Sequence, residues 1–291
     1  MSKQKVLVLG STGMIGHRVF FELDSSGDYL LYDFSYRKKL RKESLIFDAR
    51  DEKNFLTKIK NIKPDVVINC IGVLIDGSKQ DPENAIFLNA YLPHKLASLA
   101  KKLNSKLIHI STDCVFSGEK TIPYVEDDFK DGSSIYAKSK GLGEVIYDNH
   151  LTLRTSVVGP ELKTDGEELF HWFMNQSDDI SGYTKSIWSG VTTIELARAV
   201  NKSIKKDISG IHHVTNNKSI SKYELLQLIR KIFSRKINIF PEEGVISDKS
   251  FIDTRNLLDK EIPSYEEMIS ELYEMMKKNK SLYPQYFYEK A

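Results

Sequence analysis

Residues 5–16, KVLVLGSTGMIG, decide the fold that this sequence predicts. Residues 5–9 form a continuous aliphatic and β-branched run, which is typical of a strand buried on both faces of a parallel sheet. Glycines follow at once at positions 10, 13 and 16, and residues 14–23 carry apolar side chains at helical spacing. A buried strand, a glycine-rich turn and a helix in this order predict the first unit of a parallel α/β sheet.

The glycine-rich turn has the chemistry of a dinucleotide-binding loop. Small residues let the backbone approach a pyrophosphate, and the helix N-terminus offers N–H donors and a positive dipole. Gly16 would also let the helix pack closely on the strand. A glycine-rich turn that binds no ligand is the alternative. The residues predicted to line the cofactor here are Gly10, Thr12, Gly13, Met14, Ile15 and Gly16.

Strands and helices continue to alternate beyond this unit. The clearest helix spans residues 84–102. Strand-like runs occur at residues 29–32, 45–47, 66–71, 107–110 and 151–153. This alternation predicts an α/β protein with a doubly wound parallel sheet and helices on both faces.

The second half of the chain is less regular. Residues 211–214 resemble another strand. Ser221 with Glu224, and Ser264 with Glu267, have the spacing of capping boxes that open two helices. No internal repeat and no low-complexity linker separates this half from the first, so we expect the two halves to pack together.

Composition and charge exclude several classes of protein. The 291 residues carry 42 Lys and Arg against 40 Asp and Glu, and this net charge of +2 argues against a dedicated nucleic-acid binder. No apolar run approaches the ~18 residues of a membrane span, and the N-terminus lacks a secretory signal. The two cysteines, Cys70 and Cys114, fit a reducing compartment, and no cluster has zinc-site spacing. We expect a soluble cytoplasmic protein without a metal site, a nucleic-acid partner or a membrane partner.

The end of the second predicted strand bears on the choice of nucleotide. Asp33 stands where a carboxylate holds the ribose of NAD. Ser35, Arg37 and two lysines follow directly, and these groups suit the 2′-phosphate of NADP; a solvated basic loop is the alternative. We therefore expect NADPH as the cofactor, with NADH as the second choice. Asp48 and Ala49 follow the third strand, where Asp48 either accepts a hydrogen bond from adenine or caps a helix.

Tyr136 and Lys140 lie at positions i and i+4, which places both side chains on one face of a helix. An ammonium near a phenol stabilises the phenolate and lowers its pKa from about 10 toward neutral pH. Three other pairs have the same spacing: Tyr91 with Lys95, Tyr273 with Lys277 and Tyr286 with Lys290. Only Tyr136 follows a buried strand that ends in Ser111-Thr112-Asp113, at the edge where parallel strands meet their ligands.

These motifs together resemble those of the extended short-chain dehydrogenase/reductases, and among them the dTDP-4-dehydrorhamnose reductase group. The glycine loop matches, residues 111–118 resemble the S-T-D-x-V-F-x-G segment, and residues 136–140 resemble Y-x-x-x-K. Residues 69–72 stand where the family's fourth strand runs beside the cofactor, and residues 153–156 resemble its R-T-S step. The match is good over about the first 160 residues.

The resemblance implies a fold and a set of site residues. It implies a Rossmann NAD(P)-binding domain over residues 1–155, to which segments near residues 191–214 would return, and a smaller α/β substrate-binding region over residues 156–291. The implied catalytic triad is Thr112, Tyr136 and Lys140. In it Tyr136 gives a proton to the substrate oxygen, and Thr112 orients the carbonyl. Lys140 lowers the pKa of Tyr136 and holds the nicotinamide ribose. Further cofactor contacts are expected from Cys70, Ile71, Gly72 and Asn89, and substrate contacts from Asp113, Val115, Phe116 and Trp188.

The expected reaction is NAD(P)H-dependent reduction of the C4 ketone of a nucleotide-linked 4-keto-6-deoxy sugar for surface polysaccharide synthesis. The partner is thus a nucleotide-diphosphate sugar, linked to dTDP or UDP, and a homodimer is left open. A sugar-nucleotide epimerase or dehydratase is the first alternative, although Asp113-Cys114 lacks the D-E pair typical of the dehydratases. A non-catalytic regulatory subunit is the second. Residues 170–173 either stack a base or fill a core, and Lys249 and Arg255 either meet a diphosphate or are exposed charges.

Overall fold

A computed structural model describes residues 3–256 and 261–287 of the chain. Its strands, in chain order, are β1 Gln4–Leu9, β2 Tyr29–Ser35, β3 Leu45–Ile46, β4 Val66–Asn69, β5 Lys106–Thr112, β6 Leu151–Thr155, β7 Val157–Val158, β8 Ile180–Tyr183, β9 Ser186–Trp188, β10 Val191–Thr192, β11 Gly210–His213, β12 Ile220–Ser221, β13 Ile239–Glu242 and β14 Ser247–Asp248. Seven of them form the central sheet in the order β11-β6-β5-β4-β1-β2-β3. Every neighbouring pair in this sheet is parallel, so the predicted doubly wound α/β fold is confirmed.

The strand order reverses at β1, which pairs with β2 on one side and with β4 on the other. A crevice opens at such a reversal, beyond the carboxyl ends of the strands, because the chain leaves toward opposite faces there. Strands β1, β4 and β5 therefore deliver Gly10, Cys70 and Thr112 to one edge of the sheet.

The helices, in chain order, are α1 Met14–Ser26, α2 Glu52–Ile62, α3 Ile75–Gln80, α4 Pro82–Ala85, α5 Leu92–Lys102, α6 Ile135–Leu142, α7 Leu169–Met174, α8 Thr193–Lys205, α9 Lys222–Ile232 and α10 Tyr265–Lys278. A π-helical segment, Ile86–Tyr91, joins α4 to α5. One face of the sheet packs against α1 and α8 through side chains such as Phe20 and Val200. The other face packs against α2 and α5 through side chains such as Phe55 and Leu96.

The residues after Thr155 do not form one uninterrupted unit. Short strands make two small sheets, β12-β9-β14 and β13-β8, around a separate apolar core that contains α7, α9 and α10. Between these pieces the chain returns to the central sheet, because β11 pairs with β6 and α8 packs against α1. Both capping boxes are confirmed at the starts of α9 and α10.

The helix predicted over residues 84–102 is interrupted in the structure. Pro82 begins α4, and the segment Ile86–Tyr91 is wound as a π-helix before α5 begins. Inside it, Asn89 is buried and its amide bonds both backbone groups of Val73, which lies on the loop after β4. These hydrogen bonds from Asn89 to the loop after β4 account for the π-helical turn, because π-bulges frequently occur at functional sites. The strand predicted at residues 66–71 ends at Asn69 because the chain then turns into this loop.

Candidate active site at the carboxyl edge of the sheet

The glycine loop is shaped so that only glycine fits at its two ends. Gly10 has φ of +79°, in the left-handed region that glycine adopts without strain. A Cβ atom at position 16 would lie 2.1 Å from the carbonyl oxygen of Gly10. The loop therefore folds tightly against the first turn of α1, as a backbone approach to a ligand requires.

The start of α1 fits an anionic group. Gly13 is the N-cap residue, no side chain caps this end, and its first turn, which the structure describes in full, contains no acidic residue. The first N–H groups of a helix have no partner within the helix, and the helix dipole favours negative charge at this end. Gly13 is exposed, and Thr12, Met14 and Ile15 are half-buried around it. This arrangement suits a pyrophosphate.

Asp33 is already occupied by protein groups. Its Oδ2 accepts a hydrogen bond from Ser11 Oγ at 2.7 Å, and its Oδ1 forms an ion pair with Arg41 Nε at 3.1 Å. Arg41 also donates to the carbonyl oxygen of Leu31 and lies over the ring of Phe20. Sequence reasoning missed Arg41, because a loop residue eight positions beyond Asp33 follows no periodicity. The ion pair leaves this carboxylate committed to the protein.

Nearby polar groups remain available to a nucleotide. The hydroxyl oxygen of Ser35 is buried and has no hydrogen-bond partner among the described residues. Arg37 is exposed, and its guanidinium lies over the ring of Tyr36. A buried hydroxyl without a partner and an adjacent exposed cation fit a phosphate ester.

Asp48 and Ala49 have local roles in the structure. Asp48 pairs with Arg50 at 2.7 Å, and the hydrogen bonds from Arg50 hold the pKa of this carboxyl below its usual range. The helix-cap alternative for Asp48 is wrong, because Asp51 caps α2 by accepting from Asn54. Ala49 is buried in the core on the α2 face of the sheet.

The loop after β4 passes directly over the helix that carries Lys140. Cys70 and Ile71 are half-buried and Gly72 is exposed, and burial raises the pKa of the Cys70 thiol to about 12. A Cβ atom on Gly72 would meet Asn89 Oδ1 at 3.4 Å and Lys140 Nζ at 4.0 Å. Asn89 itself is fully buried, with its amide bonded to Val73 and Ser139. The polar atoms of Asn89 thus hold the loop after β4, and its contact with the cofactor stays a prediction.

The structure brings Thr112, Tyr136 and Lys140 together. Thr112 is the last residue of β5, and Tyr136 lies in the first turn of α6, which Ser134 caps. The Thr112 hydroxyl donates to Asp113 Oδ1 at 3.1 Å, and Thr112 lies close enough to the Tyr136 phenol to act on its pKa, which it lowers. Thr112 therefore adjoins both Asp113 and Tyr136 at the end of β5.

Charge at this centre differs from the expectation. Burial, with Cys114 and Glu168 nearby, raises the pKa of Tyr136 well above its ordinary value of 10. Burial also lowers the pKa of Lys140 to about 8, although Glu144 and Cys70 oppose this shift. Lys140 Nζ donates to the carbonyl oxygen of Ile110 at 2.7 Å. The expectation of a lowered Tyr136 pKa is therefore wrong for this geometry, in which the net shift is upward and Lys140 Nζ is bonded to a backbone carbonyl.

Asp113 is a buried carboxyl that faces cations from distant parts of the chain. Burial raises its pKa, while Lys249, Thr112, Ser156 and Lys222 act in the opposite direction. Lys249 was a candidate from the sequence, but Lys222, the first residue of α9, was not, because no motif marks it. These two lysines give this part of the cleft a positive charge.

Several predicted substrate contacts lie in the interior. Val115 and Phe116 are buried in a small core in which Phe116 stacks on Tyr124, and their contact with a substrate stays a prediction. Trp188 is also buried, and its indole N–H donates to Ser156 Oγ at 2.8 Å. Trp188 thus acts on the site through Ser156 and exposes little ring surface of its own.

Two weaker candidates also receive structural roles. Phe170 and Phe173 fill the core of the second region, which confirms the core alternative for this aromatic segment, and Trp172 is exposed. Arg255 is exposed, pairs with Asp127 at 2.6 Å and donates to the Ile211 carbonyl, which fits the alternative that it is an exposed charge.

A buried ion pair that sequence reasoning missed supports α6. Glu144, just beyond this helix, pairs with Arg154 of β6 at 2.8 Å and accepts from Ser111 Oγ at 2.7 Å. Burial opposes ionisation of Glu144, but Arg154 and Lys130 hold the pKa of this carboxyl below its usual range. The pair ties the helix that carries Tyr136 to the strand that carries Thr112.

A protein-family model described as the RmlD substrate binding domain matches residues 4–250. The chain belongs to this family. Members of the RmlD family are extended short-chain dehydrogenase/reductases, which agrees with the glycine loop, the Thr-Tyr-Lys centre and the parallel sheet.

Individual RmlD-family relatives carry three kinds of name. Spore coat polysaccharide biosynthesis protein SpsK of Bacillus subtilis is 28% identical over 77% of this chain and 78% of that protein. A dTDP-4-dehydrorhamnose reductase of Salmonella typhimurium is 30% identical over 53% of this chain, and the match spans about half, 51%, of that enzyme. Methionine adenosyltransferase 2 subunit beta of Xenopus tropicalis is 30% identical over 76% of this chain and 70% of that protein.

Solved structures agree on the fold. A crystal structure of dTDP-4-dehydrorhamnose reductase from Bacillus anthracis in complex with NADP superposes with a TM-score of 0.81. It covers 94% of this chain and 100% of that chain, at 23% identity. Within residues 3–256 and 261–287, no helix is long and apolar enough to cross a membrane.

Proposed function

We propose that this protein reduces the C4 ketone of a nucleotide-linked 4-keto-6-deoxy sugar with NADPH. The observation that carries the proposal is the meeting of Thr112, Tyr136 and Lys140 at the sheet edge that also presents the glycine loop. Membership of the RmlD family and the similarity to a dTDP-4-dehydrorhamnose reductase support it. The product would enter surface polysaccharide synthesis, a role that the similarity to SpsK supports.

A reduced nicotinamide, when bound, supplies the hydride. The protein then has to hold the ketone and deliver a proton to its oxygen. Because burial keeps the pKa of Tyr136 high, its phenol is protonated at neutral pH and holds the proton to be donated. A substrate oxygen that reached this centre would accept the phenolic proton of Tyr136, and the neighbouring Thr112 hydroxyl would help to orient the carbonyl.

Lys140, Lys222 and Lys249 would stabilise the negative charges of the reaction and of the substrate. With a pKa of about 8, Lys140 is mostly protonated at pH 7 and carries a positive charge that would stabilise a phenolate on Tyr136. Lys222 and Lys249 lie near enough to Asp113 to lower its pKa, and their charges would suit a nucleotide diphosphate bound beside it.

The nucleotide side of the site supports NADPH over NADH. A carboxylate that binds the ribose of NAD must be free, whereas Asp33 is held by Ser11 and Arg41. The unpaired hydroxyl of Ser35 and the exposed Arg37 supply groups for a 2′-phosphate. NADH remains the alternative that a direct comparison of the two cofactors decides.

A second candidate function is that of a regulatory subunit. It is favoured by the similarity to methionine adenosyltransferase 2 subunit beta over 76% of this chain. The presence of a complete Thr112, Tyr136 and Lys140 centre favours the reductase instead, because a subunit without catalysis does not need all three groups.

The test mixes purified protein with NADPH and enzymatically prepared 4-keto sugar nucleotides, linked to dTDP or UDP, and follows loss of nicotinamide absorbance. We expect oxidation of NADPH with at least one of them and a loss of about 100-fold or more in Tyr136→Phe. Tyr91→Phe is the matched control. Tyr91 has the same spacing to a lysine, Lys95, but it is an exposed residue at the end of the π-helical segment. No oxidation with any substrate, or equal rates for Tyr136→Phe and wild type, contradicts the reductase.

A further inference from the structure

Residues 280–287, which we call the C-terminal strap, belong to none of the recognised motifs. The strap consists of two 3₁₀ turns, Lys280–Leu282 and Pro284–Tyr286, that follow α10. Tyr283 is fully buried although it lies near the end of the chain. A buried phenol needs a hydrogen-bond partner, and this partner lies in the nucleotide-binding half of the molecule.

Tyr283 reaches the glycine loop through His17. The Tyr283 hydroxyl lies 2.9 Å from His17 Nε2, and His17 Nδ1 lies 2.8 Å from the carbonyl oxygen of Gly13. A carbonyl only accepts, so Nδ1 carries the proton. Burial lowers the pKa of His17 to about 4, so the neutral ring must accept at Nε2. Tyr283, whose pKa burial raises to about 12, is the donor.

This chain of hydrogen bonds fixes a backbone group that faces the predicted pyrophosphate site. Gly13 is the N-cap of α1, and its carbonyl accepts from both the backbone N–H and the side chain of His17. A peptide unit is planar, so a fixed Gly13 carbonyl also fixes the direction of the Met14 N–H. That N–H is one of the free donors at the helix start.

The other end of the strap holds a segment beside the catalytic centre. The Tyr286 hydroxyl accepts from the Glu161 N–H at 3.0 Å and lies 2.6 Å from His171 Nδ1, and Gln285 donates to the Glu161 carbonyl. Glu161 in turn accepts from the Glu168 N–H through Oε1 at 3.3 Å. Glu168 is near enough to raise the pKa of Tyr136.

We propose that the C-terminal strap couples the two halves of the site, with Tyr283 as a positioning residue for the dinucleotide and Tyr286 as a positioning residue for the sugar nucleotide. The two tyrosines are three residues apart, so one short segment carries both contacts. The sugar-nucleotide half rests on the proposed function, whereas the dinucleotide half requires only that the glycine loop binds its cofactor.

The experiment titrates the full chain with NADPH, in the absence of any sugar, and follows nicotinamide fluorescence. We expect Tyr283→Phe to raise the Kd for NADPH about fivefold, the equivalent of one buried hydrogen bond. Tyr286→Phe should leave that Kd within about twofold and raise KM for the sugar nucleotide about fivefold with kcat little changed. Tyr273→Phe, on α10 against Phe233, is the control expected to match wild type in both assays.

A double variant separates positioning from stability. Tyr283→Phe leaves Nε2 of His17 buried without a donor, whereas His17→Leu with Tyr283→Phe removes both polar partners. The double variant should therefore unfold at a temperature closer to wild type than Tyr283→Phe does, and still bind NADPH about fivefold more weakly.

If the double variant recovers both the stability and the NADPH affinity of wild type, the proposal is contradicted. An unchanged Kd for NADPH in Tyr283→Phe contradicts it as well. A wild-type protein that binds NADPH but reduces no 4-keto sugar contradicts the proposed function alone, because the titration still tests Tyr283. A wild-type protein that does not bind NADPH contradicts both.

Discussion

The nucleotide end of the site (Ser11, Asp33 and Arg41) and its catalytic end (Ser111, Glu144 and Arg154) are built around similar acid–arginine pairs that differ in burial. The side chain of Arg41 is 33% exposed, whereas those of Arg154 and Glu144 are 2% and 1% exposed. Two charges that water does not reach are stabilised by each other and by their hydrogen bonds. The buried pair, Glu144 with Arg154, therefore fixes where α6 lies against β5, whose Ser111 donates to Glu144. The Asp33–Arg41 pair instead neutralises a carboxylate beside the glycine loop. We therefore expect the buried pair to matter most for stability and the Asp33–Arg41 pair to matter most for the choice of cofactor.

Breaking the buried pair should have the largest effect. We expect Arg154→Met to reduce the free energy of unfolding by about 3–5 kcal/mol, because the buried Glu144 would lose its buried arginine and keep only the half-exposed Lys130 as a cation. Urea denaturation measures this change. Arg255→Met, which breaks the outward-facing pair with Asp127, is the control and should cost about 1 kcal/mol or less. Equal losses in the two variants would show that burial does not distinguish these pairs.

Breaking the Asp33–Arg41 pair should change cofactor choice more than stability. In Arg41→Met the Asp33 carboxylate becomes free to repel a 2′-phosphate and to accept from a ribose hydroxyl. We expect the Kd for NADPH to rise about tenfold while the Kd for NADH falls or stays constant. Titration with both cofactors measures the ratio, and Asp33→Asn in the same background should restore NADPH binding. A parallel weakening of both cofactors would contradict the selectivity role.

The pH profile tests the charge at the catalytic end. Lys140, with a pKa lowered to about 8, is a cation below that pH and becomes neutral above it, whereas Tyr136 stays protonated throughout because its pKa is raised. If the cation supports proton transfer from Tyr136, kcat/KM should fall about tenfold between pH 7 and pH 9. Lys140→Arg, which keeps its charge, should remove this decline in whatever activity it retains. A rate that rises across the same range would contradict the role of a protonated Lys140.

The smallest effect is expected at the exposed rim of the nucleotide end. Arg37→Gln removes a solvated cation, so the Kd for NADPH should rise only about threefold, and less at high salt. Lys39→Gln provides a comparison within the same loop. A tenfold or larger rise of the Kd for NADPH in Arg37→Gln would indicate that direct contact of Arg37 with the phosphate, and not the Asp33–Arg41 pair, determines selectivity.

Much of this site was predictable because the local sequence dictates it. The run at residues 5–16 specifies a buried strand, a tight turn and a helix, and the structure has β1, the glycine loop and α1 there. Thr112 and Tyr136 were predictable for the same reason, since one ends a buried strand and the other begins a helix. The burial of Phe116 and Asn89 could not be predicted in the same way, because a family motif does not say which of its members are exposed and which are buried.

The sequence alone determined the parallel sheet and the sheet edge that presents the glycine loop, Thr112 and Tyr136, because strand and helix periodicity and turn chemistry are local properties. The tertiary structure decided which charges are neutralised and which remain free. Arg41 reaches back to Asp33, Lys222 approaches Asp113, and Tyr283 meets His17 across 266 residues of chain. Such contacts leave no periodic signal in the sequence, since they depend on how separate elements pack and on the loss of water between them.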